Sequence, residues 1–324
     1  MKSTCIALIT GALGALAATT ALAQTDNYPS KTITIIVTFA PGSGSDQAAR
    51  FYAKALKDNL NATVVVDNKP GAAGMIGAQL AAKAAPDGYT VLMGSGTVNA
   101  ANYPLYRDRI TYKPQDFTAV AQLNMAPAIL FAAKDVKGDT VADALKTAKQ
   151  GNRNLSCGNG NAVTQVACEI LKRKTATDIV NVPYKGNAQS LTDLAGGQIP
   201  LAFSDLAAAA PFVQAGSIRP VAVAAPSRIA GLPDVKTFGE QGIADFEFLA
   251  WTTVFVPAGT PRDIVVKLNA AARTMLESAE WEKFRATFLG VKITGDLAES
   301  QAFVASEVAK WDRYVRESGI KGSD

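Results

Sequence analysis

A strand, a short loop and a helix recur along this sequence, and that rhythm leaves few folds open. Residues 33–39, ITIIVTF, are almost continuously apolar and β-branched, which suits a strand buried on both faces of a parallel sheet. After the interruption PGSGSD, the apolar residues Ala48, Ala49, Tyr52, Ala55, Leu56 and Leu60 return at helical spacing. The unit then repeats. TVVVDN (63–68) reads as a strand, KPGAAG as a turn, MIGAQLAAKAA as a helix, and DGY introduces the strand TVLMGS (90–95). Strands alternating with helices predict an α/β fold whose mixed, mostly parallel sheets are flanked by helices and joined by right-handed crossovers.

The rhythm restarts in mid-chain. PAILFAA (127–133) reads as a strand, TVADALKTAKQG (140–151) as a helix ending at a glycine, and NLSCGNGN (154–161) as a strand running into a Gly/Asn loop. The helix AVTQVACEILKRKT, the strands IVNVPYKG (179–186) and IPLAFSD, and the small-residue helix LAAAAPFVQAG follow. The roughly 300 residues beyond the N-terminal segment suffice for two domains, each burying its own core. IRPVAVAAPSR (218–228) reads as the strand leading back, and LAWTTVFVPAGTP with the helices from Pro261 and Ala302 completes the first lobe. The expected division is 1–23 as a signal peptide, 24–125 and 223–324 as one lobe, and 126–222 as the other. Whether the C-terminal helices cross to the second lobe stays open. A chain that leaves one lobe and returns encloses a cleft with strand-like hinges.

Lys2, the apolar run CIALITGALGALAATTALA and the ending Ala21-x-Ala23 have the layout of a secretory signal peptide, with cleavage expected after Ala23. Cys5 stands at the front of that run, which argues against lipid attachment there. No other window offers the roughly 20 uninterrupted apolar residues of a membrane helix, so a periplasmic protein that is not membrane-embedded is expected. The formal charge of +4 includes Lys2, so the mature chain carries about +3 without a basic block, and nucleic acid is not an expected partner. There is no histidine. That removes the commonest general base, every Ser-His or Cys-His pair and most zinc and iron sites, and neither metal nor cofactor is expected. An oxidising compartment would allow Cys157 and Cys168 to pair, but one falls near a loop and the other in a helix, and pairing stays open.

The glycine loops fail as nucleotide motifs. Gln47 stands where a dinucleotide fingerprint after Gly42 and Gly44 needs glycine, and Val163 does so after Gly158 and Gly160. Neither Ser43 nor Ser95 has the flanking glycines of an esterase elbow. Loops 41–46 and 157–161 do sit between a strand's carboxyl end and a helix's amino end, where α/β sheets bind ligands. Unpaired N–H groups and partial positive charge at a helix start hold an anion without Arg or Lys, each end contributing about 0.3–1 kcal/mol. On this reading Ser43, Ser45, Ser95 and Thr97 form one wall of the cleft. Asn159, Gly160 and Asn161, with the turn from Tyr184 to Gly186, form the other. The plainer readings are that Ser45 or Asp46 is simply the N-cap of its helix, that PGAAG is only a turn, and that Tyr184 and Trp251 are core or rim aromatics.

Over nearly its whole mature length the chain resembles the Bug-type substrate-binding receptors of tripartite tricarboxylate transporters. The resemblance is carried by YPSKTITIIVTFAPGSGSD, VVVDNKPGAAGMIGAQLAAKAAPDGYT, LMGSGT, VPYKGNAQSLTDLAGGQI, AGSIRPVAVAAPSR, LPDVKTFGEQG and VPAGTPRDIVVKLNA in that order. It implies a two-lobed periplasmic binding protein of type II-like architecture. It also implies a small mono-, di- or tricarboxylic or aromatic acid captured by lobe closure, delivery to inner-membrane permease subunits, and a monomer. The family's F-x-P-G-G-x-x-D pattern falls on Phe39, Pro41, Gly42, Ser43 and Asp46, with Ala40 between, and its facing loop on Gly158, Asn159, Gly160 and Asn161 after Ser156. Ser43 replaces the second glycine, and in LAFSDLAAA the usual aspartate position is Ser204 with Asp205 next to it. Two other functions stay in view. One is a periplasmic sensor docking on a signalling protein; the other is a histidine-free hydrolase using Ser43 or Cys157 with a Lys base.

Overall fold

The computed structural model describes residues 27–150, 154–288 and 293–320, so the expected signal peptide lies outside the described residues. The first sheet holds β1 (Ile33–Val37), β2 (Val64–Asn68), β3 (Thr90–Ser95), β4 (Phe117–Pro127) and β10 (Leu249–Pro257), in the order β2-β1-β3-β10-β4. The second holds β5 (Ile129–Ala133), β6 (Ser156–Asn159), β7 (Val180–Pro183), β8 (Leu201–Ser204) and β9 (Ile218–Val223), in the order β7-β6-β8-β5-β9. In each sheet four strands share a direction. The fourth in order, β10 or β5, opposes both its neighbours. The two lobes thus repeat one topology, which is the α/β architecture expected from the alternating pattern.

Ten α-helices surround the sheets among the described residues. They are α1 (Gly44–Leu60), α2 (Met75–Ala82), the short α3 (Asn102–Leu105), α4 (Val141–Gln150), α5 (Ala162–Lys174), α6 (Asn187–Ala195), α7 (Leu206–Gln214), α8 (Arg262–Leu276), α9 (Ala279–Phe288) and α10 (Leu297–Ser318). α1 buries Ala48, Ala49, Tyr52, Ala55 and Leu56, the stripe that its spacing requires. Full burial of Tyr52 and Leu56 contributes about 1.5–3 kcal/mol for a side chain of that size, and the Tyr52 hydroxyl donates to Leu268 O of α8 at 2.9 Å. α5 buries Val163, Val166, Ala167, Ile170 and Leu171, and Lys172, Arg173 and Lys174 in its last turn complement the negative helix end.

The lobes join through extended backbone. β4 continues through Ala128 into β5, and the chain returns through Phe248 into β10. Three backbone hydrogen bonds knit this hinge: Ala128 N–H to Phe248 O at 2.7 Å, Ala224 N–H to Ala128 O at 2.9 Å, and Phe248 N–H to Ala224 O at 3.0 Å. β9 does not lead back as its sequence suggested, because it pairs with β5 along the second sheet's edge. The following segment keeps to that lobe, with Phe238 and Phe246 stacked on Phe203 of β8, so we place the return crossing at Phe248 rather than at residue 222. α10 spans both lobes. It packs on β4 and α3 in one and on α5 in the other, where Arg173 Nε donates to Ser318 O at 3.0 Å.

Candidate functional site

The start of α1 follows β1, and the starts of α5 and α7 follow β6 and β8, so all three lie at the carboxyl ends of parallel strands. A π-helical turn, Thr97–Ala101, likewise follows β3. These ends meet in a cavity of about 270 Å³ between the lobes. From the first lobe Phe39, Ser43, Ser45, Ser95 and Thr97 line it, and from the second Asn161 and Asp205. All seven are residues expected at the site from sequence.

The first lobe's contribution is built by a turn and a cap. Ser43 N–H donates to Ala40 O at 3.2 Å across Pro41 and Gly42, and Gly42 has φ +83°. That is a type II turn, whose third residue needs the left-handed backbone that glycine adopts without strain. Ala40, Pro41 and Gly42 are exposed and aim the helix rather than line the cavity. The N-cap of α1 is Ser43, not Ser45 or Asp46: its Oγ accepts from Asp46 N–H at 3.2 Å. With its oxygen accepting, the Ser43 hydroxyl proton is left to donate, and the same holds for Ser95, whose Oγ accepts from Val98 N–H at 3.3 Å. Gly44 and Ser45, first in the helix, have N–H groups with no intrahelical acceptor.

Asp46 braces this loop from behind. It is only 2% exposed, accepts from Gly42 N–H at 2.9 Å, from Asn68 Nδ2 at 3.0 Å and from Arg50 Nε at 3.0 Å. Burial alone would raise its carboxyl, but the hydrogen bonds from Arg50, Gly42 and Asn68 outweigh that and hold the pKa below the ordinary aspartate value. The PGAAG turn acts in the same supporting way, since Asn102 Nδ2 donates to Ala73 O at 3.0 Å and ties the turn to the helix after Thr97.

The second lobe's loop is fixed differently. Asn161 caps α5, its Oδ1 accepting from Thr164 N–H at 3.0 Å, while Thr164 Oγ1 accepts from Gly160 N–H at 3.1 Å. A Cβ on Gly160 would collide with the backbone of Gly186 and Asn187, so this glycine permits the loop to lie against the start of α6. Gly158 likewise leaves no room against Ile199 and Ser190. Asn159 is 3% exposed and holds β7 instead of the cavity, donating to Asn181 Oδ1 and to Val182 O at 3.0 Å. Ser156 is buried on β6. Cys157 and Cys168 form a disulfide between β6 and α5, bracketing the loop.

The remaining expected residues separate. Tyr184 donates to Asp193 Oδ2 at 2.9 Å, and burial with that carboxylate pushes its pKa up to about 12, so it serves α6 rather than the cavity. Gly186 is the N-cap of α6 in extended backbone. Ser204 is fully buried, whereas Asp205 lines the cavity and caps α7 by accepting from Ala208 N–H at 2.9 Å.

The family model of the tripartite tricarboxylate transporter family receptor matches residues 48–320. The chain belongs to that family. BugT of Bordetella pertussis is 30% identical over 325 residues, covering 99% of each chain. A solved R. palustris protein with adipate is 34% identical with a TM-score of 0.79, covering 91% of this chain and 99% of that one. MatC from Rhodopseudomonas palustris, with bound malate, is 30% identical with a TM-score of 0.76, covering 89% of this chain and 100% of that one. The chain therefore has the receptor family's periplasmic binding fold, two mixed sheets flanked by helices.

This receptor-family cavity also has walls that the sequence did not announce. Gly96, Asn124, Trp251 and Thr252 line it from the first lobe and Val163 from the second. Trp251 is 2% exposed and donates from Nε1 to Glu307 Oε2 of α10 at 2.9 Å, so the C-terminal helix fixes one wall of the cleft. Asn124 and Thr252 pair across β4 and β10 where the register shifts. A bulge of that kind has no residue signature, which is why alternation along these strands did not reveal the wall. Among the described residues no group of three or more His, Cys, Asp or Glu could hold a metal, and no helix is long and apolar enough to cross a membrane.

Proposed function

We propose that this chain is a periplasmic solute receptor that closes its lobes on a small organic carboxylate and delivers it to a membrane permease. The observation that carries the reading is the meeting of the α1 and α5 starts across one cavity, one from each lobe. First-turn N–H groups and the hydroxyls of Ser43 and Ser95 supply donors for a carboxylate without a cationic side chain. A ligand touching both lobes favours the closed arrangement about the Ala128–Ala224–Phe248 hinge. The carboxylates in the two R. palustris relatives support this reading, and the Cys157–Cys168 disulfide suits an oxidising compartment. Binding rather than hydrolysis fits the nucleophile candidates. Cys157 is disulfide-bonded, Ser43 caps a helix, and no lysine lines the cavity among the described residues.

Calorimetry of the purified protein against mono-, di-, tricarboxylic and aromatic acids tests the reading. At least one acid binds, and Ser43→Ala weakens it about tenfold or more, the scale of one lost hydrogen bond to a charged group. Failure of every acid would overturn the carboxylate assignment.

A further inference from the structure

The cleft's polar groups divide into donors and acceptors, and the acceptors are unexpected in a carboxylate site. Asp205 is the one formally charged residue among the described residues that line the cavity. Its Oδ1 accepts from Ala208 N–H at 2.9 Å and its Oδ2 from Asn187 Nδ2 at 3.2 Å, and Asn187 Oδ1 accepts in turn from Asn161 Nδ2 at 3.5 Å. That chain ties the starts of α5, α6 and α7 together and fixes the carboxylate at the cavity wall. Each oxygen has met one protein donor, and a carboxylate oxygen accepts more than one. Asn124, on the first lobe, offers a second acceptor: its Oδ1 is buried and makes no hydrogen bond among the described residues. The charge of Asp205 meets the start of α7, but no cationic side chain lines the cavity among the described residues. Arg50 is bound to Asp46 behind the loop, and Lys185 is exposed in the turn before α6 without lining the cavity.

Resting on the carboxylate reading above, we infer that the ligand is a monocarboxylate carrying an ammonium at its other end, a zwitterionic amino acid rather than a dicarboxylate. Its single carboxylate faces the donors of α1 and α5. A second carboxylate would meet a like charge in the same small enclosure with no cation beside it, whereas an ammonium pairs with Asp205 and supplies a donor to Asn124. A neutral hydroxyl in the same place gains the hydrogen bonds without the charge pairing and ranks between the two.

Calorimetry with succinate, glutarate and adipate, each against the ω-amino and ω-hydroxy monocarboxylates of the same chain length, tests the assignment. At one chain length the amino acid binds about tenfold or more tighter than the dicarboxylate. Asp205→Asn, which still caps α7, weakens the amino acid about tenfold and erases its preference. Asp205→Ser is a second capping variant and gives the same loss. Tighter binding of a dicarboxylate to the native protein, or an unchanged preference in both variants, overturns the inference while leaving the carboxylate reading intact. Binding of none of these acids, nor of propionate or benzoate, overturns both.

Discussion

The loops that face each other across the cleft share one design and are held by opposite means. Each runs from a parallel strand into a helix whose side-chain cap is a small polar residue, Ser43 on α1 and Asn161 on α5. Behind Ser43 the support is electrostatic: Asp46 gathers Arg50, Gly42 N–H and Asn68. Behind Asn161 it is covalent and steric, with one disulfide whose two cysteines flank the loop and Gly160 against the backbone of α6. The proposed anion site needs its donors fixed before a ligand arrives, and either kind of brace does that. They differ in what dismantles them, acid for one and reductant or added volume for the other.

Removing the covalent brace breaks the comparison most severely. Cys157→Ser with Cys168→Ser lowers stability by about 2–4 kcal/mol, read as a fall in the thermal midpoint. An unchanged midpoint would mean that β6 and α5 hold the loop without the bond. Next comes Gly160→Ala, where overpacking against Gly186 and Asn187 costs about 1–3 kcal/mol and weakens ligand binding with it. Chemical denaturation and calorimetry on the same sample measure both, and retention of full affinity would show that α6 yields to the added methyl.

The smallest effect belongs to the electrostatic side. The folded pKa of Asp46 is depressed, so its contribution is fully present above the unfolded value of about 4 and is lost as pH falls through the lower folded value. The thermal midpoint of the native protein therefore drops more steeply below pH about 4 than that of Asp46→Asn, which has no carboxylate to protonate. Parallel curves for the two proteins would assign the acid sensitivity to other groups.

Much of the cavity's lining was legible before any coordinates. The seven expected residues that line the cavity all sit where a strand hands over to a helix, a junction that periodicity and Gly/Ser/Asn chemistry mark locally. The expected residues that failed to line it, such as Asn159 and Tyr184, have side chains equally able to hold a ligand, and only their neighbours Asn181 and Asp193 show that they are engaged. Trp251 went the other way. It reads as a core or rim aromatic, and only Glu307, far along the chain, shows its indole fixed as part of the cleft wall.

By itself the sequence determined the layered α/β plan and the family, because both follow from patterns within a few tens of residues and from their order. The tertiary structure alone decided where the chain returns between lobes, that Cys157 and Cys168 bond, and that Asp205 rather than Ser204 lines the cavity. Those outcomes depend on which distant segments come into register. A strand such as β9 can pair with either lobe as far as its own residues are concerned, and only the sheet edge it finds settles the choice.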